Sequence, residues 1–454
     1  MEQTAAKPIA VILKPRRLLC WDTWEPVAKF MIVLIGLMIV YLAIERNILF
    51  QWHYSQIGRV KNVFIRYMMV MSGLIFIGSL VFRTFLWFKY RAYDSALVKS
   101  WPKATVIIPA YNEGETVFET ICSIASCDYP EDHLRIIAID DGSKDDTYSH
   151  MERARDAFPH LVELIRFNKN QGKRQALYEG FKKSRSPFVI SIDSDTRLDA
   201  AAVKELLTPL ILNPKLAGVT GRLRVWNRSA NMMTRMMNAS FAMAFDFTRA
   251  VQSTYSNVFC TSGAFSAYRR SVVNRFMDKW LNQTFMKKKC TYGEDRSMTN
   301  HILRLGYGTV FQRTAIAHTM LPVQATRILK MLTRWARSNI RESIVFGTFM
   351  FNSRRKGNYI LPFIEYFATI ALIILHFVWF YYFLFSGYVT GTFLFRVLAY
   401  TILFGFLSML YYIRIEGSYD VPYILIYSIF NSIFMIWIFS IAAFTLTRRS
   451  WSTR

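Results

Sequence analysis

The stretch Phe188-Val-Ile-Ser-Ile-Asp-Ser-Asp-Thr196 joins a short apolar run to two carboxylates, Asp193 and Asp195. The run has the composition of a buried strand, and the acids follow at its carboxyl end. In an open α/β sheet, ligands bind at the edge formed by such strand ends. Because neighbouring carboxylates repel each other unless a cation lies between them, the pattern indicates a divalent-metal site that holds a diphosphate. An Asx-rich turn after a strand is the alternative that this stretch alone leaves open.

Predicted strands and helices alternate around that stretch. Runs rich in β-branched residues predict strands, and longer amphipathic segments between them predict helices. The strands are predicted at residues 104–109, 135–140, 162–167 and 188–193, and the helices at 115–126 and 173–184. The alternation predicts an α/β domain with a doubly wound, mostly parallel sheet.

Composition indicates an integral membrane protein with one soluble domain. Of the 454 residues, 53% are hydrophobic, and several apolar runs approach the roughly 20 residues that cross a bilayer. These runs are residues 27–44, 67–87, 359–385, 393–413 and 421–446. The first two predict a pair of transmembrane helices within 27–90, and the mixed composition of residues 100–320 predicts the soluble domain between the two membrane regions.

Basic residues predict the orientation of the membrane helices. Lysines and arginines precede the first apolar run and follow the second, so the tail at residues 1–26 and the central domain are expected on the cytosolic side. The last run is followed by Arg448 and Arg449, which a single crossing would place outside. We therefore predict that residues 421–446 are re-entrant or bent near Asn431, and a plain fifth span is the alternative.

Two segments near the soluble domain predict helices in the membrane interface. Residues 229–255 are rich in Met, Phe and Ala, and basic and apolar residues segregate at helical spacing within 321–352. Such helices lie along a membrane surface rather than across it. An ordinary amphipathic helix of the soluble domain is the alternative for the second segment.

Charge and cysteine content narrow the class of partner. The net charge is +25, and the basic residues lie beside apolar runs and within the central domain, so a membrane surface and an anionic substrate are expected rather than nucleic acid. The five cysteines include no Cys-x-x-Cys pair. An odd number without that spacing argues against a disulfide framework and a structural zinc site, and fits a cytosolic domain.

Polar groups at other predicted strand ends are expected to meet Asp193 and Asp195. The first strand is followed by Asn112 and Glu113, and the second by Asp141. Lys173 lies at the start of a predicted helix. A positive charge at that end is unfavourable because of the helix dipole, so we expect Lys173 to have a functional role there. A crevice with acids and a cation at one sheet edge suits a nucleotide with a metal on its diphosphate.

Two later motifs contain side chains that could take part in the transfer of a sugar or another group. A carboxylate of the pair Glu294-Asp295 could deprotonate an acceptor hydroxyl. Arg334 offers a cation for a leaving diphosphate, and the ring of Trp335 can stack on a sugar or a base. A surface acid pair and a tryptophan at the membrane interface are the respective alternatives.

Together, these motifs resemble those of membrane-bound, processive glycosyltransferases of family 2, and most closely those of bacterial hyaluronan synthases. They are also similar to rhizobial chitin-oligosaccharide synthases, which share Gly-Glu-Asp. The resemblance covers about residues 60–454 and implies a GT-A-type catalytic domain inserted in a helical transmembrane bundle. The motifs that carry it are Asp140-Asp141-Gly142-Ser143, Asn170-Gln171-Gly172-Lys173-Arg174, Asp193-Ser194-Asp195, Cys260-Thr261-Ser262-Gly263, Gly293-Glu294-Asp295, Arg334-Trp335 and Trp451-Ser452-Thr453-Arg454.

The resemblance also implies roles for individual residues. Asp295 would be the general base, and Asp195 would bind Mg²⁺ or Mn²⁺. Donor contacts are implied for Asp141, Lys173, Asp193, Asp195, Arg334 and Trp335. A priming loop at the acceptor is implied for Cys260, Thr261, Ser262 and Gly263, with Glu294 beside it. A gating tail at residues 447–454 is implied for Trp451 and Arg454.

The implied activity is that of an inverting polysaccharide synthase of the cell membrane. It would take UDP-sugars, UDP-GlcNAc and UDP-GlcA in the hyaluronan-type case, extend a nascent polysaccharide in the cytosol and move it across the bilayer. Three departures leave the product open: Met331 stands where the family has Gln, Ala264 where hyaluronan synthases have Pro, and Glu294 where they have Asp. A chitin-like or other β-glycan synthase with one donor is the first alternative, and a transferase acting on a lipid-linked sugar is the second.

Overall fold

The computed structural model describes residues 21–46, 63–351, 360–385, 390–417 and 420–448. The strands in these ranges are β1 Ala104–Ala110, β2 Leu134–Asp140, β3 Val162–Arg166, β4 Phe188–Ile192, β5 Thr196–Leu198, β6 Leu216–Val225, β7 Phe265–Arg269, β8 Thr284–Phe285, β9 Lys288–Lys289 and β10 Gly308–Thr319. The α-helices are α1 Trp21–Glu45, α2 Val63–Lys89, α3 Thr116–Ala125, α4 Thr147–Ala157, α5 Lys173–Lys183, α6 Ala202–Leu212, α7 Met232–Phe241, α8 Thr248–Ser253, α9 Arg270–Val273, α10 Met277–Leu281, α11 Glu294–Arg304, α12 Ala325–Gly347, α13 Ile360–Phe385, α14 Gly391–Glu416 and α15 Tyr423–Phe444.

One eight-stranded sheet organises the soluble domain, in the order β3-β2-β1-β4-β7-β6-β10-β5. Strands β3, β2, β1 and β4 are parallel neighbours, as are β6 and β10. Strand β7 runs antiparallel to β4 and β6, and β5 runs antiparallel to β10. The strands and helices predicted for the first half are present, so the prediction of a doubly wound, mostly parallel sheet is confirmed.

Apolar side chains cover both faces of this sheet. Strands β1 and β4 are buried along their whole length, as expected for central parallel strands with helices on both sides. Helix α5 packs tightly on β1, since a Cβ added at Gly180 would lie 2.4 Å from Ile107 Cγ2. This close contact places the first residue of α5, Lys173, near the carboxyl ends of the strands.

In the described ranges, four helices are long and apolar enough to cross a membrane: Pro26–Glu45, Val70–Lys89, Leu394–Glu416 and Tyr423–Phe444. Helix α13 contains a shorter apolar stretch, Ile360–Leu375. The predicted break near Asn431 is wrong, because α15 continues through that residue as one helix, and the re-entrant course of this segment stays a prediction. A single Asn costs a helix at most about 0.7 kcal/mol relative to Ala, which is too little to break it.

The segment between α7 and α8 is a π-helical stretch, Ala242–Phe247. It packs against α14, and the core of the sheet domain continues into α12 and α15 through Ile328 and Ile438. Helix α12 also packs along α15. These contacts join the sheet domain to apolar helices, and the location of α12 in a membrane interface stays a prediction.

Candidate active site

A cavity of about 1290 Å³ opens at the carboxyl ends of β1, β2 and β4. Most of the motifs singled out in the sequence line it, from Asp141 and Asp195 at one side to Trp335 at another. The same cavity continues between the apolar helices, where Arg83 of α2 and Glu365 of α13 line it. The crevice of the sheet and the helical bundle therefore enclose one continuous space.

Lys173 lies at the centre of an ionic cluster in this cavity. Its ammonium group pairs with Asp193 and lies 3.4 Å from Glu294 Oε1. Burial alone would lower the pKa of Lys173, but the carboxylates of Asp193 and Glu294 raise it above its ordinary value. Burial raises the pKa of Glu294, but the charge of Lys173, a backbone hydrogen bond and the charges of Arg174 and Arg334 together bring it below the ordinary value. Lys173 and Glu294 are therefore both charged, and their attraction holds the Lys173 side chain in place.

Asp295, the next residue along α11, has different surroundings. Its Oδ2 accepts a hydrogen bond from the backbone N–H of Gly263 at 3.3 Å and a weak one from the Cys260 thiol at 3.6 Å. The backbone N–H of Arg296 donates to Oδ1 at 2.7 Å. Burial raises the pKa of Asp295, and the neighbouring Glu294 charge raises it further. A buried carboxylate with a raised pKa is suited to accept a proton near neutral pH.

The start of α11 is held in place by a glycine with a positive φ angle. Gly293 has φ 74°, and an added Cβ would lie 2.1 Å from Ser338 Oγ of α12. Arg341, one turn further along α12, donates to the Tyr292 carbonyl at 2.6 Å. The contact between α11 and α12 therefore fixes where the two acids of the first turn enter the cavity. Carboxylates in that position also interact favourably with the helix dipole.

Asp141 anchors the loop that leads into α5. Its Oδ1 accepts from the backbone N–H of Gln171 at 2.7 Å, and its Oδ2 accepts from Gly172 at 2.8 Å. Burial raises the pKa of Asp141, while these two backbone donors lower it in part. The residue thereby positions Lys173, a structural task that the sequence did not reveal. Its implied contact with the donor, at the uridine, stays a prediction.

Asp195 is the candidate metal ligand at the mouth of the crevice. Thr319 donates to its Oδ1 at 3.4 Å from the end of β10. Within the described residues, no group of three or more His, Cys, Asp or Glu side chains could hold a metal ion by itself, and Asp193 is engaged by Lys173. Mg²⁺ is commonly bound by one or two carboxylates together with substrate phosphates. The donor set therefore fits a metal that is completed by a bound diphosphate.

The wall opposite these acids is aromatic and apolar. Trp335 lies with its ring centroid 6.1 Å from those of both Phe241 and Phe245, and it lines the cavity together with Arg334. Met331, one turn earlier on α12, is 6% exposed and also lines the cavity. The position at which the family motif has Gln is therefore an apolar part of the wall here.

The structure adds charged residues that the sequence reasoning missed. Arg249 of α8 is buried and lines the cavity beside Cys260. Glu365 accepts hydrogen bonds from Gln252 and Tyr255 and pairs with Arg83 at 3.3 Å. The signal was present for Glu365, since its charge stands alone in a long apolar segment, where ionisable residues are commonly functional. The predicted gating residues Trp451 and Arg454 lie outside the described residues.

Comparison with known proteins places the chain among glycosyltransferases. The family model described as "Glycosyltransferase like family 2" matches residues 102–338. A hyaluronan synthase of Streptococcus pyogenes is 31% identical over 323 residues, which cover 70% of this chain and 72% of that protein. An N-acetylglucosaminyltransferase of Azorhizobium caulinodans is 31% identical over 243 residues, which cover 53% of this chain and 61% of that protein. The second match thus spans less than two thirds of the relative's length.

A solved structure has a similar fold. A mannosyltransferase from Pyrobaculum calidifontis, determined in complex with GDP-Man and Mn²⁺, superposes with a TM-score of 0.50. The superposition covers 82% of this chain and 99% of that chain, with 18% sequence identity. At this identity the likeness concerns the fold, including the sheet and its arrangement with helices.

Proposed function

The chain belongs to glycosyltransferase family 2, with a GT-A-type fold and helices suited to cross a membrane, and we propose that it is a processive, inverting polysaccharide synthase. It would polymerise UDP-sugars, namely UDP-GlcNAc and UDP-GlcA in a hyaluronan-type product. The observation that carries this proposal is the single cavity that contains Lys173, Asp195, Asp295 and Trp335 and continues to Glu365 of α13. A transferase that releases its product after one step does not need a path from its active site into the membrane helices.

The chain's own residues can perform an inverting transfer. Asp295 takes the proton of the acceptor hydroxyl as that oxygen attacks C1 of the donor sugar, and the C1–O bond to UDP breaks on the opposite side. Lys173 offsets negative charge on the departing diphosphate, and Arg334 is proposed to contribute a second cation. Trp335 offers a flat surface for the acceptor sugar, and Cys260 to Gly263 hold Asp295 at the acceptor end.

A divalent metal fits the donor side of the site. Asp195 would hold Mg²⁺ or Mn²⁺ together with the diphosphate oxygens, and the metal would supply Lewis-acid stabilisation of the leaving group. The bound Mn²⁺ of the mannosyltransferase with a similar fold agrees with this proposal. Asp193 would act through Lys173, and Asp141 through the loop that carries Lys173.

The membrane helices and the C-terminal tail would set the orientation of the protein and the exit of its product. We place the sheet domain on the cytosolic side of the cell membrane, since basic residues flank the N-terminal helices on that side. UDP-sugars would then enter from the cytosol, and the polymer would leave along α13, whose residues line the inner end of the cavity. Trp451 and Arg454 are proposed to close over the bound UDP.

The decisive test is synthesis by the purified full-length protein with Mg²⁺ or Mn²⁺ and labelled UDP-GlcNAc, with and without UDP-GlcA. We expect a polymer only when both donors are present, and we expect hyaluronidase to digest it. A polymer from one donor would overturn the hyaluronan-type product and leave the polymerase function intact. No transfer from either donor under these conditions would overturn the polymerase function itself.

Two observations favour a second candidate, a β-glycan synthase that uses UDP-GlcNAc alone. Glu294 precedes the proposed base where hyaluronan synthases usually have Asp, and Met331 makes the acceptor wall apolar. The similarity to the N-acetylglucosaminyltransferase agrees with that reading. The one-donor arm of the same experiment separates the two candidates.

The pH dependence of elongation tests the proposed base. Because burial and the Glu294 charge raise the pKa of Asp295, Asp295 becomes protonated as the pH falls through that raised value, and elongation should be lost above the ordinary carboxyl range of about 4. Glu294→Gln removes a like charge, so the acidic limb of the pH–rate profile should move to lower pH. The profile of kcat for each protein measures this shift, and a limb that stays in place or moves upward would contradict it.

A further inference from the structure

Arg249 is a buried cation with one guanidinium nitrogen that stays without a hydrogen-bond acceptor among the described residues. It is 5% exposed, and its Nη1 atom has no hydrogen-bond partner in the described part of the chain. Burial lowers the pKa of the guanidinium below its ordinary value, although Cys260 and Asp295 act in the opposite direction. Buried arginines stay protonated and normally satisfy their donors, so the Nη1 group of Arg249 is open to an acceptor from outside the chain.

The position of Arg249 identifies the side of the site on which that group binds. Its guanidinium lies 4.3 Å from the ring centroid of Phe245, and Phe245 packs against Trp335. Gln252, three residues later on α8, donates to Glu365 of α13 at 3.1 Å. Arg249 therefore lies between the proposed acceptor platform and the membrane helices, along the path of the growing chain.

The proposed donor groups have partners of their own. Lys173 is engaged with Asp193 and Glu294 at the start of α5, and Asp195 lies next to the end of β10. The Asp295 carboxylate stabilises the Arg249 charge, but its oxygens accept from the backbone of Gly263 and Arg296, and the Nη1 group of Arg249 keeps no acceptor among the described residues. An anionic group on the acceptor chain is thus the ligand that fits.

We propose that Arg249 is a binding residue for the carboxylate of an acidic sugar in the acceptor chain, and that it selects a polymer containing uronic acid units over a neutral one. This inference rests on the proposed polymerase function. A planar guanidinium binds a carboxylate through paired N–H donors, and the low exposure of the site strengthens that interaction. Cavity-lining Phe245 and Trp335 provide apolar surface for the sugar rings on either side.

Binding of oligosaccharides to the full-length protein, saturated with UDP, tests this assignment directly. The probes are a labelled oligosaccharide of alternating GlcNAc and GlcA, and its carboxyl-reduced counterpart. We expect the parent protein to bind the acidic probe about tenfold to a hundredfold more tightly, as for a charged hydrogen bond. In Arg249→Gln this ratio should fall to about one, in Arg249→Lys it should be intermediate because one charge remains, and in the exposed-site control Arg275→Gln it should stay at the parent value.

Each outcome of this experiment decides the inference. Equal affinity of the parent protein for both probes, or an unchanged ratio in Arg249→Gln, overturns it. A selective loss of affinity for UDP-GlcA relative to UDP-GlcNAc in Arg249→Gln would assign the carboxylate to the donor and also overturn it. Polymer synthesis by the parent protein from the two UDP-sugars is measured separately. If the protein makes polymer but binds both probes equally, the role of Arg249 is wrong and the polymerase function still stands.

Discussion

The Asp295→Asn variant is expected to elongate polymer about a hundredfold to ten-thousandfold more slowly than the parent protein while it still binds UDP. The amide has nearly the shape of the carboxylate, and it keeps an oxygen for the backbone N–H of Arg296. It cannot accept the proton of the acceptor hydroxyl. Lys173 keeps both of its carboxylate partners, Asp193 and Glu294, so the donor side of the site is preserved.

The matched control is Asp278→Asn, which makes the same chemical change on α10. Asp278 accepts an exposed hydrogen bond from Tyr178, and we place it outside the site. Initial rates of UDP release in the presence of acceptor, together with the Kd for UDP, separate the two effects. Elongation by Asp295→Asn within about tenfold of the parent would remove Asp295 from the role of base, because general-base catalysis contributes more than that.

The sequence was informative where local chemistry and topology agree. Asp193 and Asp195 follow an apolar run, and the carboxyl ends of parallel strands meet at one edge. The sequence therefore predicted that these acids lie in one cavity with Asp141 and Lys173, because all four residues lie at the ends of elements that reach the same edge of the sheet. The pairing of Lys173 with Glu294 did not, because it joins residues more than a hundred positions apart and depends on how α11 packs against α12.

The parts that the sequence could not give depend on tertiary contacts. Arg249 lies in a segment whose apolar composition pointed to the membrane interface, and its charge gains meaning only beside Asp295 and Phe245. The break predicted at Asn431 relied on a charge rule for the loops, whereas one polar residue costs a packed helix too little to interrupt it. Asp141 looked like a ligand contact, and the structure shows it holding backbone amides of a loop.

Lys173→Met is expected to weaken donor binding about tenfold to a hundredfold and to reduce elongation further. The methionine has a similar length and no charge, so Asp193 and Glu294 are left without their cation and repel the incoming diphosphate. Lys173 also lowers the pKa of Asp295. Its removal should therefore raise that pKa, and the acidic limb of the pH–rate profile should move to higher pH, opposite to the shift in Glu294→Gln.

The control for this change is Lys182→Met, on the same helix α5 and exposed to solvent. Calorimetric Kd values for the UDP-sugar and pH–rate profiles of the two variants provide the comparison. Lys182→Met should match the parent protein in both measurements. Parent-like donor affinity in Lys173→Met would mean that the cluster is purely structural, since a lysine that faces the diphosphate cannot be neutralised without loss of binding. A limb that moved to lower pH would show that Lys173 does not act on Asp295 in the assembled site.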